Sequence, residues 1–138
     1  MSELLLDTHI WVWYAEGIED RLAPASVKLL DEARRTAGLL VSAISVWELG
    51  VHVRKGKIQL SAPLRDWVDR ALDAQGIRFV PLDAATAVES TQLPGEPHGD
   101  PADRFLIATA RMLRASLATR DDSIIAYGKT GYVRVTPL

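Results

Sequence analysis

No cysteine occurs anywhere in the chain. That single absence excludes a disulfide framework, a thiolate zinc site and an iron–sulfur cluster. Long apolar runs are missing as well, and nothing approaches the roughly 20 residues that a membrane-spanning helix needs. The N-terminal stretch MSELLLDTHIWVW places two acids and a histidine where a signal peptide has a basic start and an uninterrupted apolar stretch. The expectation is a soluble protein of the cytoplasm with no membrane partner. An excess of basic charge is also absent, since 16 Lys and Arg stand against 18 Asp and Glu, for a net charge of −2. The composition therefore carries no general nucleic-acid footprint. Net charge hides local clustering, however: Arg54, Lys55 and Lys57 form one basic cluster, and Arg34 with Arg35 another. A phosphate-binding loop is excluded despite Gly128, Lys129 and Thr130, because the earlier glycine it requires is Ser123 here and the tripeptide follows a predicted helix instead of a buried strand.

What is present is a chain of 138 residues, 48% of them hydrophobic. That is enough for one domain with a sizeable core, and the expectation is a single domain over residues 1–138. Leu4, Leu5 and Leu6 lack the alternating polar positions of a half-wet strand and read as a strand buried on both faces, which points to a parallel sheet. Further short strands are predicted at Leu39–Val41, at Ile77–Val80, at Leu117 and Ala118 ending near Thr119, and at Val133 with Val135. Helices are predicted between them. Ile10–Ala15 begins one, and Pro24 opens a second that runs to about Arg35. Val46–Arg54 is a third, with Ser45 and Glu48 spaced as a capping box. Pro63 opens a fourth reaching about Gln75, and Asp83 caps a short helix from Ala84. Asp100 followed by Pro101 is a strong helix start for the stretch reaching about Leu113, and Asp122–Tyr127 forms the last helix. Strands alternating with helices imply a three-layer α/β/α sandwich around a mainly parallel sheet of four or five strands.

In such a sheet ligands bind beyond the carboxyl ends of the strands. Asp7 and Asp121 fall there, and Glu48 and Asp103 lie on helices that can reach the same rim. Four carboxylates converging on one pocket repel one another unless a divalent cation sits between them. Each acid also has a structural reading. Asp7 could cap the following helix, Glu48 could close the capping box with Ser45, Asp103 could answer the dipole of its helix, and either Asp121 or Asp122 could cap the last one. Asp100 reads as a cap before it reads as a ligand. The two roles of Glu48 compete for one carboxylate, so a metal ligand there requires the capping box to be absent. Thr8 is placed to orient a carboxylate oxygen, and Thr119 lies two residues before Asp121. His9, His52 and His98 are dispersed, and only His52 shares helical register with Glu48. Carboxylate oxygens favour magnesium, or manganese in its place, and suit attack of water on phosphorus.

The segments LLLDTH (Leu4–His9), SAISVWELG (Ser42–Gly50), HGDPADRFLIATA (His98–Ala110) and LATRDD (Leu117–Asp122), in this order and spacing, resemble a PIN-domain ribonuclease, and more closely a VapC-type toxin of a toxin–antitoxin pair. The resemblance covers essentially the whole chain. It implies that Asp7, Glu48, Asp103 and Asp121 are the catalytic acids and metal ligands, with Thr8 and Thr119 in support. It leaves open a secondary part for Asp100 or Asp122. It further implies magnesium- or manganese-dependent hydrolysis of single-stranded or structured RNA to a 5′-phosphate and a 3′-hydroxyl, a homodimer, and inhibition by a small antitoxin. Arg54, Lys55 and Lys57 are candidates for holding the RNA backbone. Other readings stay open: a catalytically inactive binding module with the same fold, or a phosphoaspartate phosphatase, although the latter typically has an acid where this chain has His9. A receiver-like module would want a lysine where LATR supplies Arg120. The segment of Trp11, Trp13 and Tyr14 reads either as core or as a surface for a second copy or an antitoxin helix.

Overall fold

The computed structural model of the chain describes residues 3–18, 20–97 and 99–138. Strand β1 (Leu4–Leu6) leads into helices α1 (Thr8–Glu16) and α2 (Pro24–Thr36). Strand β2 (Leu39–Ser42) is followed by α3 (Ala43–Arg54) and α4 (Leu64–Asp73), and β3 (Ile77–Val80) by α5 (Ala84–Thr91) and α6 (Pro101–Leu113). Strand β4 (Ser116–Thr119), α7 (Asp122–Gly128) and β5 (Arg134–Pro137) complete the order. The strands form one five-stranded sheet in the order β3-β2-β1-β4-β5, with every neighbouring pair parallel. Among the described residues no helix is long and apolar enough to cross a membrane.

The two-residue period of the strands builds two cores. Leu4, Leu6, Leu39 and Val41 face one side, where Ile10, Trp11, Leu30, Leu49 and Trp67 cover them from α1 to α4. Leu5, Leu40 and Leu117 face the other, against Leu106 and Ile107 of α6 and Ile124 of α7. Trp11 belongs wholly to the first core, with its ring edge-on to Trp67 at a centroid distance of 5.1 Å. It therefore offers no surface to a partner.

Strand order fixes where a ligand can enter. The chain lays β2 and β3 outward on one side of β1, then returns through α5 and α6 to lay β4 and β5 on the other. The crevice beyond the carboxyl ends of β1 and β4 is thus the switch point at which parallel α/β sheets open.

Helix α3 corrects one expectation. It starts at Ala43, three residues earlier than the capping-box pattern implies, and its cap is Ser42, whose hydroxyl accepts from the Ile44 N–H at 3.1 Å. Ser45 is fully buried inside the helix and accepts from the Thr8 hydroxyl at 2.9 Å. The capping box is absent, so Glu48 carries no capping duty.

At the opposite rim Gly76 turns the chain into β3 with φ +81°. A Cβ there would lie 2.6 Å from Arg34 Cγ and 2.8 Å from the Arg34 carbonyl oxygen. The Gly76 carbonyl also accepts from the Leu39 N–H at 2.8 Å, so the turn cannot shift without breaking a bond at the start of β2. Left-handed strain and the clash together should make Gly76→Ala less stable by about 2–4 kcal/mol in urea unfolding. A loss within about 0.5 kcal/mol, the usual range for a surface change, would show that this turn relaxes freely.

Candidate active site

Asp7 is the first residue beyond β1, and both its oxygens are held. Oδ1 accepts from the Thr8 N–H at 2.8 Å, which caps α1, and Oδ2 accepts from the Thr119 hydroxyl at 2.6 Å. The capping reading and the site reading of Asp7 are therefore compatible. Thr119 ends the neighbouring strand β4, so this bond spans the switch point. Its hydroxyl also accepts from the Asp121 N–H at 2.9 Å. Asp121 caps α7 by accepting from the Ile124 N–H at 3.0 Å. Thr119 thus contacts both Asp7 and Asp121. Thr8 contacts the Asp7 carboxylate through its N–H, while its hydroxyl is committed to Ser45 and ties α1 to α3.

The acids influence Asp7 and Asp103 electrostatically. Burial pushes the Asp7 carboxyl up from the ordinary carboxylate range; its bonds from Thr119 and Thr8 oppose this, and the charge of Glu48 adds to the rise. Asp103, in the first turn of α6, is pushed up to about 7, first by burial and then by the charges of Asp100, Asp7, Asp121 and Glu48. Groups from the end of β1, from α3, from α6 and from the start of α7 thus act on one carboxyl. Asp100 caps α6, accepting from the Asp103 N–H at 3.1 Å, and contributes its charge to the same field. Asp122 is exposed at the first residue of α7. His98, the first residue of the HGDPADRFLIATA segment, lies outside the described residues.

A recess of about 290 Å³ opens at this rim, lined by Asp7, His9, Ile10, Trp13, Arg120 and Asp121. His9, Ile10, Trp13 and Arg120 are lining residues that the sequence does not assign to the site, although the position of Arg120 between Thr119 and Asp121 is a usable signal. The basic clusters separate in space. Arg54, Lys55 and Lys57 are exposed at and after the end of α3. Arg34 is at the other end of the sheet, donating from Nε to the Gln75 carbonyl at 2.6 Å, and Arg35 pairs with Glu32.

The donor set is oxygen-rich and strained by its own charge, which is the chemistry that a hard cation relieves. Among the described residues, however, no three histidine or acidic side chains stand close enough together to hold an ion directly. The acids share a field without closing to a tight cage.

Residues 4–129 match the family model of the PIN domain. The chain is 33% identical over 121 residues to ribonuclease VapC22 of Mycobacterium tuberculosis, with 88% of each chain covered. It also superposes on a chain of VapBC2 from Rickettsia felis, solved bound to a DNA fragment from their promoter, with a TM-score of 0.72 at 17% identity over 98% of both chains. FitAcB from Neisseria gonorrhoeae gives a TM-score of 0.65 at 23% identity over 96% of this chain and 95% of that one. At these identities the solved structures speak to the fold alone.

Proposed function

The chain belongs to the PIN-domain family and is homologous to the VapC toxins of type II toxin–antitoxin systems, and from that premise we propose that it is a single-domain, metal-dependent endoribonuclease, the toxin of such a pair. Its substrate is RNA, its cofactor is magnesium or manganese, and its cellular place is the cytoplasm. It works as a homodimer and is held in check by a small antitoxin. The observation that carries the reading is the meeting of Asp7 and Asp121 at one rim of the sheet, both hydrogen-bonded to the Thr119 hydroxyl, with their charges acting on the Asp103 carboxyl.

In this reading Asp7, Glu48, Asp103 and Asp121 hold the cation. Magnesium retains several of its waters and takes one or two carboxylates directly, which suits acids that share a field without forming a cage. A cation held there would offset the clustered charge and supply activation of water and stabilisation of negative charge at phosphorus. The protein supplies orientation. Thr119 and the Thr8 N–H fix both oxygens of Asp7, so its carboxylate needs little reorganisation when a ligand arrives. Thr119 also holds the backbone at Asp121, linking two of the acids through one hydroxyl. Glu48 is left for the site because Ser42 caps α3.

The absence of a tight cage among the described residues favours one other reading, a binding module that keeps the fold without catalysis. Incubating the protein with a mixed RNA pool in manganese and mapping the product ends separates the two. Cleavage with 5′-phosphate and 3′-hydroxyl ends, suppressed by EDTA, is expected. No cleavage at all, or cleavage unaffected by EDTA, contradicts the nuclease reading.

The exposed Arg54, Lys55 and Lys57 serve the RNA backbone. Neutralising Arg54 and Lys57 together should weaken RNA binding across sequences and lower its salt slope by about one for each phosphate left without its cation. Binding unchanged at several salt concentrations would remove these residues from the interface.

A further inference from the structure

Three rings stand in a row beside the acidic recess. His9, exposed, lies in the middle, its ring centroid 5.5 Å from that of Trp13 and 5.2 Å from that of His52, tilted by 50° and 52°. Cations flank both ends. The guanidinium carbons of Arg120 and Arg21 lie 5.5 and 5.9 Å from the Trp13 ring centroid, and Arg120 donates to the Arg21 carbonyl. At the far end Lys57 and Lys55 act electrostatically on His52.

Packing alone does not account for the row. Trp13 and His52 each keep part of their surface open, and the buried Nδ1 of His52 has no hydrogen-bond partner among the described residues. Arg21 and Arg120 beside Trp13, and Lys55 and Lys57 near His52, put positive charge at both ends of the row, which suits an anionic ligand. Rings interleaved with cations are how proteins hold unpaired nucleic acid: bases stack on ring faces while the cations follow the phosphates. A duplex keeps its base faces covered and offers such a surface only its backbone.

Location supplies the link to chemistry. Asp7 and Asp121 share their recess with His9, Trp13 and Arg120. A strand seated on the rings therefore runs past the acids. We propose that Trp13, His9 and His52, with Arg21 and Arg120 at one end and Lys55 and Lys57 at the other, form a track that seats an unpaired RNA strand and positions its backbone at the acidic recess. These are positioning residues, and their assignment rests on the nuclease reading for the reaction they serve.

The test is binding of the full chain to a labelled unpaired RNA oligonucleotide, and to the same sequence as a duplex, in EDTA so that no turnover is needed. His9→Ala should weaken the unpaired strand roughly tenfold, the loss of one base–ring stack, and leave duplex affinity within about twofold. His9→Phe keeps a ring and should restore most of the lost affinity. Arg120→Ala should weaken both forms and lower the salt slope by about one. With manganese present, the rise in KM for His9→Ala should exceed the fall in kcat. The proposal is overturned if His9→Ala binds the unpaired strand as the wild type does, if it weakens strand and duplex equally, or if His9→Phe fails to rescue. It is overturned too if His9→Ala disrupts only the complex with a protein partner. Ring-dependent binding without any metal-dependent cleavage would remove the nuclease reading and leave the track standing.

Discussion

Asp7→Asn is expected to lower manganese-dependent RNA cleavage by at least about a hundredfold while leaving the fold in place, since losing even a supporting partner of a metal ligand commonly costs roughly 10–100-fold. The fold survives because asparagine is as good a helix cap as aspartate. Its side-chain oxygen can still accept from the Thr8 N–H, and its amide can donate to the Thr119 hydroxyl oxygen, which already accepts from the Asp121 N–H; the Thr119 proton then loses its acceptor, at a cost of about 1–3 kcal/mol that a folded domain can carry. What it loses is the negative charge. Asp103→Asn should abolish cleavage to a similar degree. Substitution of Asp100 should be milder, because its carboxylate caps α6 and its charge acts on Asp103 from that position. Full activity in a folded Asp7→Asn protein, verified by circular dichroism, would contradict the assignment.

The second large effect has the opposite sign for stability. Burial and the surrounding acids push the Asp103 carboxyl up to about 7 from its ordinary 3.8. In the metal-free protein the folded state therefore holds this proton more tightly than the unfolded chain does. Stability from the protonated form is fully present below the unfolded value and is lost as pH rises toward and through about 7, because the unfolded chain binds fewer protons across that window. The full linkage value, about 4 kcal/mol at roughly 1.4 kcal/mol per pH unit, is an upper bound for a carboxyl that keeps part of its surface in water, and about 1–2 kcal/mol is expected after screening. Asp103→Asn removes the ionisation. At about pH 8 without metal the variant should be more stable than the wild type by about that amount, and at about pH 4 the two should nearly coincide. Manganese should reverse the order at the higher pH, adding about 2.7 kcal/mol to the wild type at roughly 100 times its dissociation constant. Urea unfolding of both proteins at the two pH values checks the sign. A variant less stable than the wild type at the higher pH would mean that Asp103 supports the fold instead of straining it.

Much of the architecture is legible in the chain itself. Three consecutive leucines with no polar position announce a strand buried on both faces, and the Asp100–Pro101 pair announces the start of α6 with its cap. Asp7, Asp103 and Asp121 can likewise be placed at strand ends and helix starts, and Glu48 within a helix. The start of α3 is harder, because Ser45 and Glu48 are spaced as a capping box while Ser42, at the end of β2, is the actual cap. A long-range bond decides between the two serines: the Thr8 hydroxyl takes Ser45 into the interior and leaves Ser42 to cap. The bond from Thr119 to Asp7 joins residues 112 apart, and no local pattern carries it. The ring row is invisible for a related reason. His9 and Trp13 are one helical turn apart and can be paired from sequence, but His52 arrives on α3 and Arg120 from the end of β4, so only the packing of α1 against its neighbours assembles them.

Calorimetric titration of manganese at about pH 8 into the wild type and into Asp7→Asn, Glu48→Gln, Asp103→Asn and Asp121→Asn tests the shared site most directly. Each substitution should weaken binding by about tenfold or more, by the cost of disturbing a ligand set. Wild-type affinity in the folded Glu48→Gln or Asp121→Asn protein would show that the acids do not share a cation.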